Sequence, residues 1–276
     1  MNFLPLKSVL NRTLSSTAIV PEPIPTHHQW VQEIQSALQE NRFCLYLQEI
    51  NPLATLDTQQ YYDVLLFLET EKGQRIPATL FQPIAEEHDL HPSLNQWFID
   101  HFLHELSRIS PQLINHYRFS ISLSHFHFHH FHWLEQIDTV LTDLNIAKEI
   151  ICFQVSEPLA LSDLNRVSNL VRNLQSLGYS FTLDDCGVRM TSLSYLKHLP
   201  VDYLKISDKF IRTLPTDRTN QKIVELIHYL ARSIGLQTIA KGVDSPAILK
   251  AVIDLGLDYS QGRYLVEPQQ WSLSQH

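Results

Sequence analysis

Two adjacent aspartates, Asp184 and Asp185, close the apolar run that starts at Phe181. Neighbouring carboxylates at a strand end disfavour each other's charge unless a cation lies between them, and divalent metal ions are the usual solution. Lys205, in Leu204-Lys205-Ile206, and Gln261, before Gly262, follow further apolar runs. An ammonium and an amide brought beside the aspartates would complete a polar cluster suited to a phosphodiester.

Those residues need a scaffold that delivers strand ends to one place. From Thr26 onward, helical and strand patterns alternate. Trp30, Ile34 and Leu38 fall at helical spacing, and Phe43–Leu47 and Tyr62–Leu68 read as strands. Helices are expected at Pro77–His88, Leu94–Leu106, Trp133–Leu144, Ser162–Leu177, Ser192–Leu199, Thr219–Ile234 and Pro246–Leu255. Strands are expected at Tyr117–Leu123, Glu149–Val155, Ser180–Leu183, Tyr203–Ile206 and Gln237–Ala240, with a last one from Tyr259. Gly178, Gly235 and Gly256 sit just past helix ends, where a left-handed residue is needed. About eight strands alternating with helices indicate an α/β fold, a TIM-like (β/α)8 barrel, with its chemistry at the C-terminal strand ends.

The 276 residues, 44% hydrophobic and 18% charged, suffice for one large core of barrel size. The net charge of -8 and the lack of a basic stripe argue against a nucleic acid polymer as partner. No apolar run reaches the roughly 18 residues of a membrane span. Cys44, Cys152 and Cys186 lie far apart in apolar contexts, which suits a reducing cytoplasm. Residues 1–26 read as a disordered or linker lead segment, because Pro21, Pro23 and Pro25 follow a Ser/Thr cluster. Leu4, Leu6, Val9 and Leu10 give only a weak amphipathic signal there.

Several segments in order resemble one family. Phe181-Thr-Leu-Asp-Asp-Cys-Gly-Val-Arg-Met-Thr-Ser-Leu-Ser-Tyr-Leu196 is similar to the DDFG segment and following helix of the EAL domain, the bacterial cyclic di-GMP phosphodiesterase fold. Leu199–Ile206, Ala240–Asp244 and Asp258–Gly262 also fit that pattern, and Leu45-Tyr-Leu-Gln48 resembles the family's opening strand. Asp63-Val-Leu-Leu-Phe67 stands where the signature Glu-Ala-Leu-Leu-Arg would be. The likeness covers roughly residues 27 to 270, so 27–276 is expected to form one such domain.

That resemblance implies a two-metal site in which magnesium or manganese activates a water that opens the cyclic dinucleotide. Asp184 and Asp185 match two metal ligands, with a plain surface turn as the bland alternative. Asp63 is one methylene shorter than the family's glutamate, Ser122 stands for an asparagine ligand, and Gln154 for a glutamate ligand. Glu157 matches the glutamate that braces the loop after the aspartates, though an ordinary helix-start acid is compatible with it. Lys205 matches the family lysine near water or phosphate; Gln261 is kept, and Gln48 could contact a guanine or ribose edge or serve as a plain strand residue. Ser207 and Asp244 replace further acidic positions, and Gly187-Val-Arg-Met190 lacks a second glycine, which implies a stiffer loop.

Lys241 is the most damaging change, because the family carries glutamate there. At about 4 Å and an effective dielectric of about 20, a lysine and a divalent ion repel by roughly 8 kcal/mol before relaxation. Even about a quarter of that weakens binding more than roughly tenfold. The alternative is that Lys241 pairs with Asp184, Asp185 or Asp63 and replaces the metal's charge. Phe67, where an arginine would reach a ligand phosphate, removes charge-assisted hydrogen bonds and argues against cyclic di-GMP binding as well as hydrolysis.

His125-Phe-His-Phe-His-His-Phe-His132 offers several imidazoles at short spacing. A polar-aromatic loop with half-exposed histidines is the expected form, with a metal site or a partner surface as alternatives. Cys186 is expected to be a buried, inert thiol. The sequence therefore leads to a degenerate EAL domain without a resident metal, acting as a regulatory module with a protein partner. A cyclic di-GMP receptor and an active, magnesium- or manganese-dependent phosphodiesterase are the alternatives; family precedent leaves a homodimer open.

Overall fold

A computed structural model of the chain describes residues 25–53, 59–188 and 193–273. Most of the lead segment, and part of the loop after Gly187, lie outside them. Two compact units emerge: Leu47–Val64 with Ile109–Gln269, and the remainder around Leu65–Arg108.

The smaller unit is built on helices α1 (His27–Gln39), α2 (Ala78–Glu87) and α3 (His91–Ser107). Thr26 caps α1: its Oγ1 accepts from the Gln29 amide N–H at 3.3 Å, and Gln29 Oε1 accepts from the Thr26 N–H at 2.8 Å. The apolar positions of α1 then fall on one side. Trp30, Ile34 and Ala37 are buried against Phe81, Ile84 and Ala85 of α2 and Leu94 of α3, while Leu38 is only partly covered. The outer halves of strands β1 (Phe43–Pro52) and β2 (Gln60–Glu69) belong here too, with β3 (Arg75–Pro77) antiparallel to β2.

The larger unit carries the barrel. β4 (Tyr117–Ser122), β5 (Ile151–Ser156), β6 (Ser180–Cys186), β7 (Tyr203–Ile206), β8 (Gln237–Lys241) and β9 (Tyr259–Gln261) follow one another in parallel. The inner half of β2 pairs parallel to β4. The inner half of β1 runs antiparallel to β9, with Asn51 opposite Ser260, and a β1–β2 pairing closes the ring. Between the strands lie α4 (His132–Asp143), α5 (Glu157–Ala160), α6 (Leu164–Ser176), α7 (Asp208–Ile211), α8 (Arg218–Ser233) and α9 (Pro246–Asp254). The expected TIM-like α/β barrel is therefore observed.

Local differences have local causes. The strand expected from Glu149 starts at Ile151, because Lys148–Ile150 forms a 3₁₀ turn. The helix expected at Ser162–Leu177 is α6, which starts at Leu164 behind its cap Asp163, whose carboxylate accepts from the Arg166 N–H at 3.2 Å; the short α5 precedes it without a sequence expectation. Residues Leu193–Lys197 make a 3₁₀ segment rather than an α-helix. A two-residue strand, β10 (Gln269–Gln270), had no signal in the sequence.

Side chains two apart on a strand share a face. Ile50, Tyr61, Cys152, Tyr203, Ile239 and Tyr259 form one buried cluster inside the barrel. Two residues further along the same strands stand Asp63, Gln154, Lys205, Lys241 and Gln261. A mainly apolar layer thus supports a polar one at the C-terminal strand ends. Arg118 seals the lower layer, donating to Tyr203 OH and to Gln59 Oε1, both at 2.6 Å.

Candidate functional site

The polar layer contains two charge centres. The first surrounds Asp63 on β2, which is 4% exposed. Lys205, fully buried on β7, donates to Asp63 Oδ2 at 2.6 Å. Gln261 of β9 donates to the same oxygen at 3.0 Å and to Gln48 Oε1 of β1 at 3.2 Å. Gln154 of β5 donates to Asp63 Oδ1 at 2.9 Å and to Ser122 Oγ of β4 at 2.7 Å, while its carbonyl lies 3.4 Å from the Lys205 ammonium. Asp63 therefore accepts from one ammonium and two amides. Burying a carboxylate is tolerated only with such partners.

The second centre joins β6 to β8. Lys241 donates to Asp184 Oδ2 at 3.0 Å, to Asp184 Oδ1 at 3.3 Å and to Asp185 Oδ1 at 3.0 Å. Consecutive residues in a regular strand point to opposite faces, so one ammonium should not reach both. The backbone resolves this. Pairing between β6 and β7 shifts register between Leu183 and Cys186, and Asp185 has a left-handed φ of 55°. A bulge of this kind re-aims a side chain, and aspartate is among the few residues that tolerate that conformation. Asp184 Oδ1 also accepts from the Asp185 N–H at 2.7 Å, which helps fix the turn.

Titration follows from this arrangement. Burial raises the Asp184 carboxyl, but the Lys241 ammonium, and then Lys205, outweigh it and leave it below the ordinary aspartate range. Asp185 lies above that range, because of burial and then the charge of Asp184. Burial works against the Lys241 ammonium, yet the two aspartates prevail and hold its pKa above that of an ordinary lysine.

Glu157, 1% exposed at the start of α5, accepts from the Tyr195 hydroxyl at 2.5 Å. Tyr195 follows the loop that leaves the aspartates, and its hydroxyl lies 4.0 Å from Cys186 Sγ. The Cys186 thiol is pushed up to about 12 by burial and then by Glu157, consistent with an inert thiol. The stiffening expected of the loop after Gly187 falls partly on residues 189–192, outside the described ones.

Gly262 follows Gln261 for a steric reason. A Cβ there would lie 2.1 Å from the Val243 carbonyl oxygen and 2.3 Å from its nitrogen. Both Gly242 and Val243 donate backbone N–H bonds to the Gln261 carbonyl, at 2.8 and 3.0 Å. This close approach puts Lys241 and Gln261 side by side. Asp244, just beyond, accepts from Arg212 at 2.7 Å and Arg263 at 3.3 Å, partners that its sequence context did not announce.

All ten candidate residues lie in the barrel unit: Asp63, Ser122, Gln154, Lys205, Gln261 and Gln48 at one centre, Asp184, Asp185 and Lys241 at the other, and Glu157 beneath the adjoining loop. Both Asp63 oxygens and the facing oxygens of Asp184 and Asp185 accept from protein donors in this arrangement. Phe67, further along β2 in the smaller unit, is buried with Tyr46, Cys44 and Leu65, its ring 4.7 Å from that of Tyr46.

The His/Phe segment is not an evenly half-exposed loop. His125–Phe128 form a 3₁₀ turn, and His127 and Phe128 are buried. Ser124 donates its backbone N–H to His127 Nδ1 at 3.0 Å, so that histidine caps the turn. Among the described residues, these histidines do not gather into a three-ligand cluster.

Comparison with known proteins agrees with the geometry. Residues 31–268 match the family model described as EAL domain. The chain is 31% identical over 241 residues to the cyclic di-GMP phosphodiesterase PdeB of Shewanella oneidensis, covering 87% of this chain and 28% of that protein. It is 30% identical to the cyclic di-GMP phosphodiesterase PdeF of Escherichia coli K12, covering 87% of this chain and 32% of that protein. The chain therefore spans about a third of these relatives' length. The FimX EAL domain of Pseudomonas aeruginosa, crystallised with cyclic di-GMP, superposes with a TM-score of 0.77 at 26% identity, covering 87% of this chain and 96% of that one. On its sequence match and its barrel, this chain belongs to the EAL domain family.

Proposed function

We propose that this chain is a degenerate EAL domain that does not hydrolyse cyclic di-GMP and acts as a regulatory module, through a protein partner, in cyclic di-GMP signalling. The observation that carries the reading is the Lys241 ammonium held within 3.0 Å of both Asp184 and Asp185. It offsets one of the pair's two negative charges without a metal and repels any divalent ion brought to the same oxygens. Asp63 reinforces the effect, since its oxygens already accept three donors. The apolar packing of Phe67 supports a protein partner over the nucleotide. Three free thiols, Cys44, Cys152 and Cys186, support a cytoplasmic setting. Among the described residues no helix is long and apolar enough to cross a membrane.

A second reading, an active phosphodiesterase with an adapted site, is favoured by one observation: Asp184, Asp185, Lys205 and Gln261 remain together at the strand ends. It requires Lys241 to swing away and magnesium or manganese to enter. Turnover separates the two. Incubation of the chain with cyclic di-GMP and excess manganese is expected to give no linear dinucleotide. Product that disappears in Asp184→Asn would overturn the proposal. Calorimetry with cyclic di-GMP, with and without metal, is expected to show no binding tighter than about 10 µM, and tighter binding would move the reading to a receptor.

A further inference from the structure

A different group of residues, in the smaller unit, has ligand chemistry that the barrel mouth lacks. His27 is the first residue of α1, Glu87 the last of α2, and His88 the next residue. One nitrogen from each imidazole and one Glu87 oxygen lie within 4.8 Å of one another, the sole such trio of histidine, cysteine or acidic side chains among the described residues. His27 Nδ1 is 3.7 Å from Glu87 Oε2. With zinc–nitrogen bonds of about 2.0–2.1 Å, neighbouring ligand atoms of a tetrahedral ion stand about 3.4 Å apart. Small side-chain rotations would therefore close the trio.

The spacing is set by the core rather than by chance contact of mobile groups. His27 lies one turn before Trp30, and His88 one turn after Ile84, and those two are buried in the same cluster. The helices are thus packed one turn away from the ligands, so an ion would pay little for ordering the backbone. All three side chains are exposed, which leaves room for water as a fourth ligand. Nearby, Glu86 lies 3.7 Å from His91 Nε2 and so has its own imidazole neighbour.

We infer that His27, Glu87 and His88 form a zinc-type site that clamps the first turn of α1 to the end of α2. Two imidazoles and one carboxylate suit a borderline ion such as zinc and disfavour magnesium, which wants oxygen donors. A bound ion stabilises the folded state by mass action and ties down the point where the chain enters the domain. The inference is independent of the proposed function, since it uses none of the barrel-mouth residues.

The test is calorimetric titration of the untagged full chain with zinc chloride, and separately with magnesium chloride. The expected result is one zinc site with a dissociation constant of about 1–50 µM and no magnesium binding in that range. His27→Gln and His88→Gln should each weaken zinc binding at least about tenfold, while His129→Gln leaves it unchanged. Zinc should also raise the thermal midpoint of the parent chain and not that of the double variant. Circular dichroism establishes that the variants are folded, which exposed positions favour. No zinc binding in the stated range, or binding weakened less than tenfold by the His27 and His88 changes, overturns the site. Loss with His129→Gln instead would transfer it to the His/Phe segment.

Discussion

The two charge centres of the barrel mouth solve the same problem differently. At Asp63 the carboxylate is sealed from solvent and saturated by donors from β5, β7 and β9. At Asp184 and Asp185 a partly exposed ammonium bridges two carboxylates, one of which must be turned by a bulge to meet it. In the first centre a charge is stabilised by a network that spans the barrel. In the second, a single side chain does the work of an ion. The contrast teaches that carboxylates in one polar layer can be satisfied in two ways: one is built into the core, and the others share a salt bridge that one substitution can remove.

The largest effect should come from the sealed centre. Lys205→Met leaves Asp63 buried beside two amides, and removing one partner of a buried pair costs about 3–5 kcal/mol. Urea unfolding should show this loss, and a cost no greater than that of Lys241→Met would break the comparison. Lys241→Met should cost less, about 1–2 kcal/mol, because water reaches that pair and screens it. The same variant should gain affinity for manganese at least about tenfold, since the repelling charge is gone. Unchanged metal affinity would mean that Lys241 is not what excludes the ion.

The smallest effect is on pH dependence. Lys241 has a folded pKa above its unfolded value of about 10.4, so its stabilisation is complete below that pH and lost as pH rises through the folded value. The stability gap between the parent chain and Lys241→Met should be constant from pH 7 to about 9 and narrow above about pH 10.4. On the acid side the aspartates oppose each other. Asp184, with a depressed pKa, loses stabilisation as pH falls, whereas protonation of Asp185 relieves a penalty. A widening gap at high pH would contradict the pairing.

Much of this was legible in the residues. Alternating periodicity placed the barrel strands within a few residues, because each carries an apolar run bounded by polar ends. The pairing of Lys241 with the aspartates was one of the expected alternatives, since opposite charges at neighbouring strand ends have few other ways to be satisfied. The Asp63 network was not readable in detail. That Lys205 would choose Asp63 over Asp184 depends on which strands stand across the barrel, and no spacing along the chain encodes that. The bulge at Asp185 left no sequence signal either, apart from the tolerance of aspartate for positive φ. His127 was misread as a loop histidine because its capping role needs the backbone of Ser124, not its neighbours' side chains. The His27, Glu87 and His88 trio has no sequence signal because His27 stands about sixty residues before the adjacent pair Glu87 and His88.

Gly262 has a further consequence. No other amino acid fits against the Val243 backbone, whatever the barrel mouth does. Its partner in the dipeptide, Gln261, meets a structural demand too, by bridging Asp63 and Gln48. Folding alone therefore demands the Gln-Gly pair, whether or not the barrel mouth turns over a substrate. A screen that selects for folding alone would recover the same two letters.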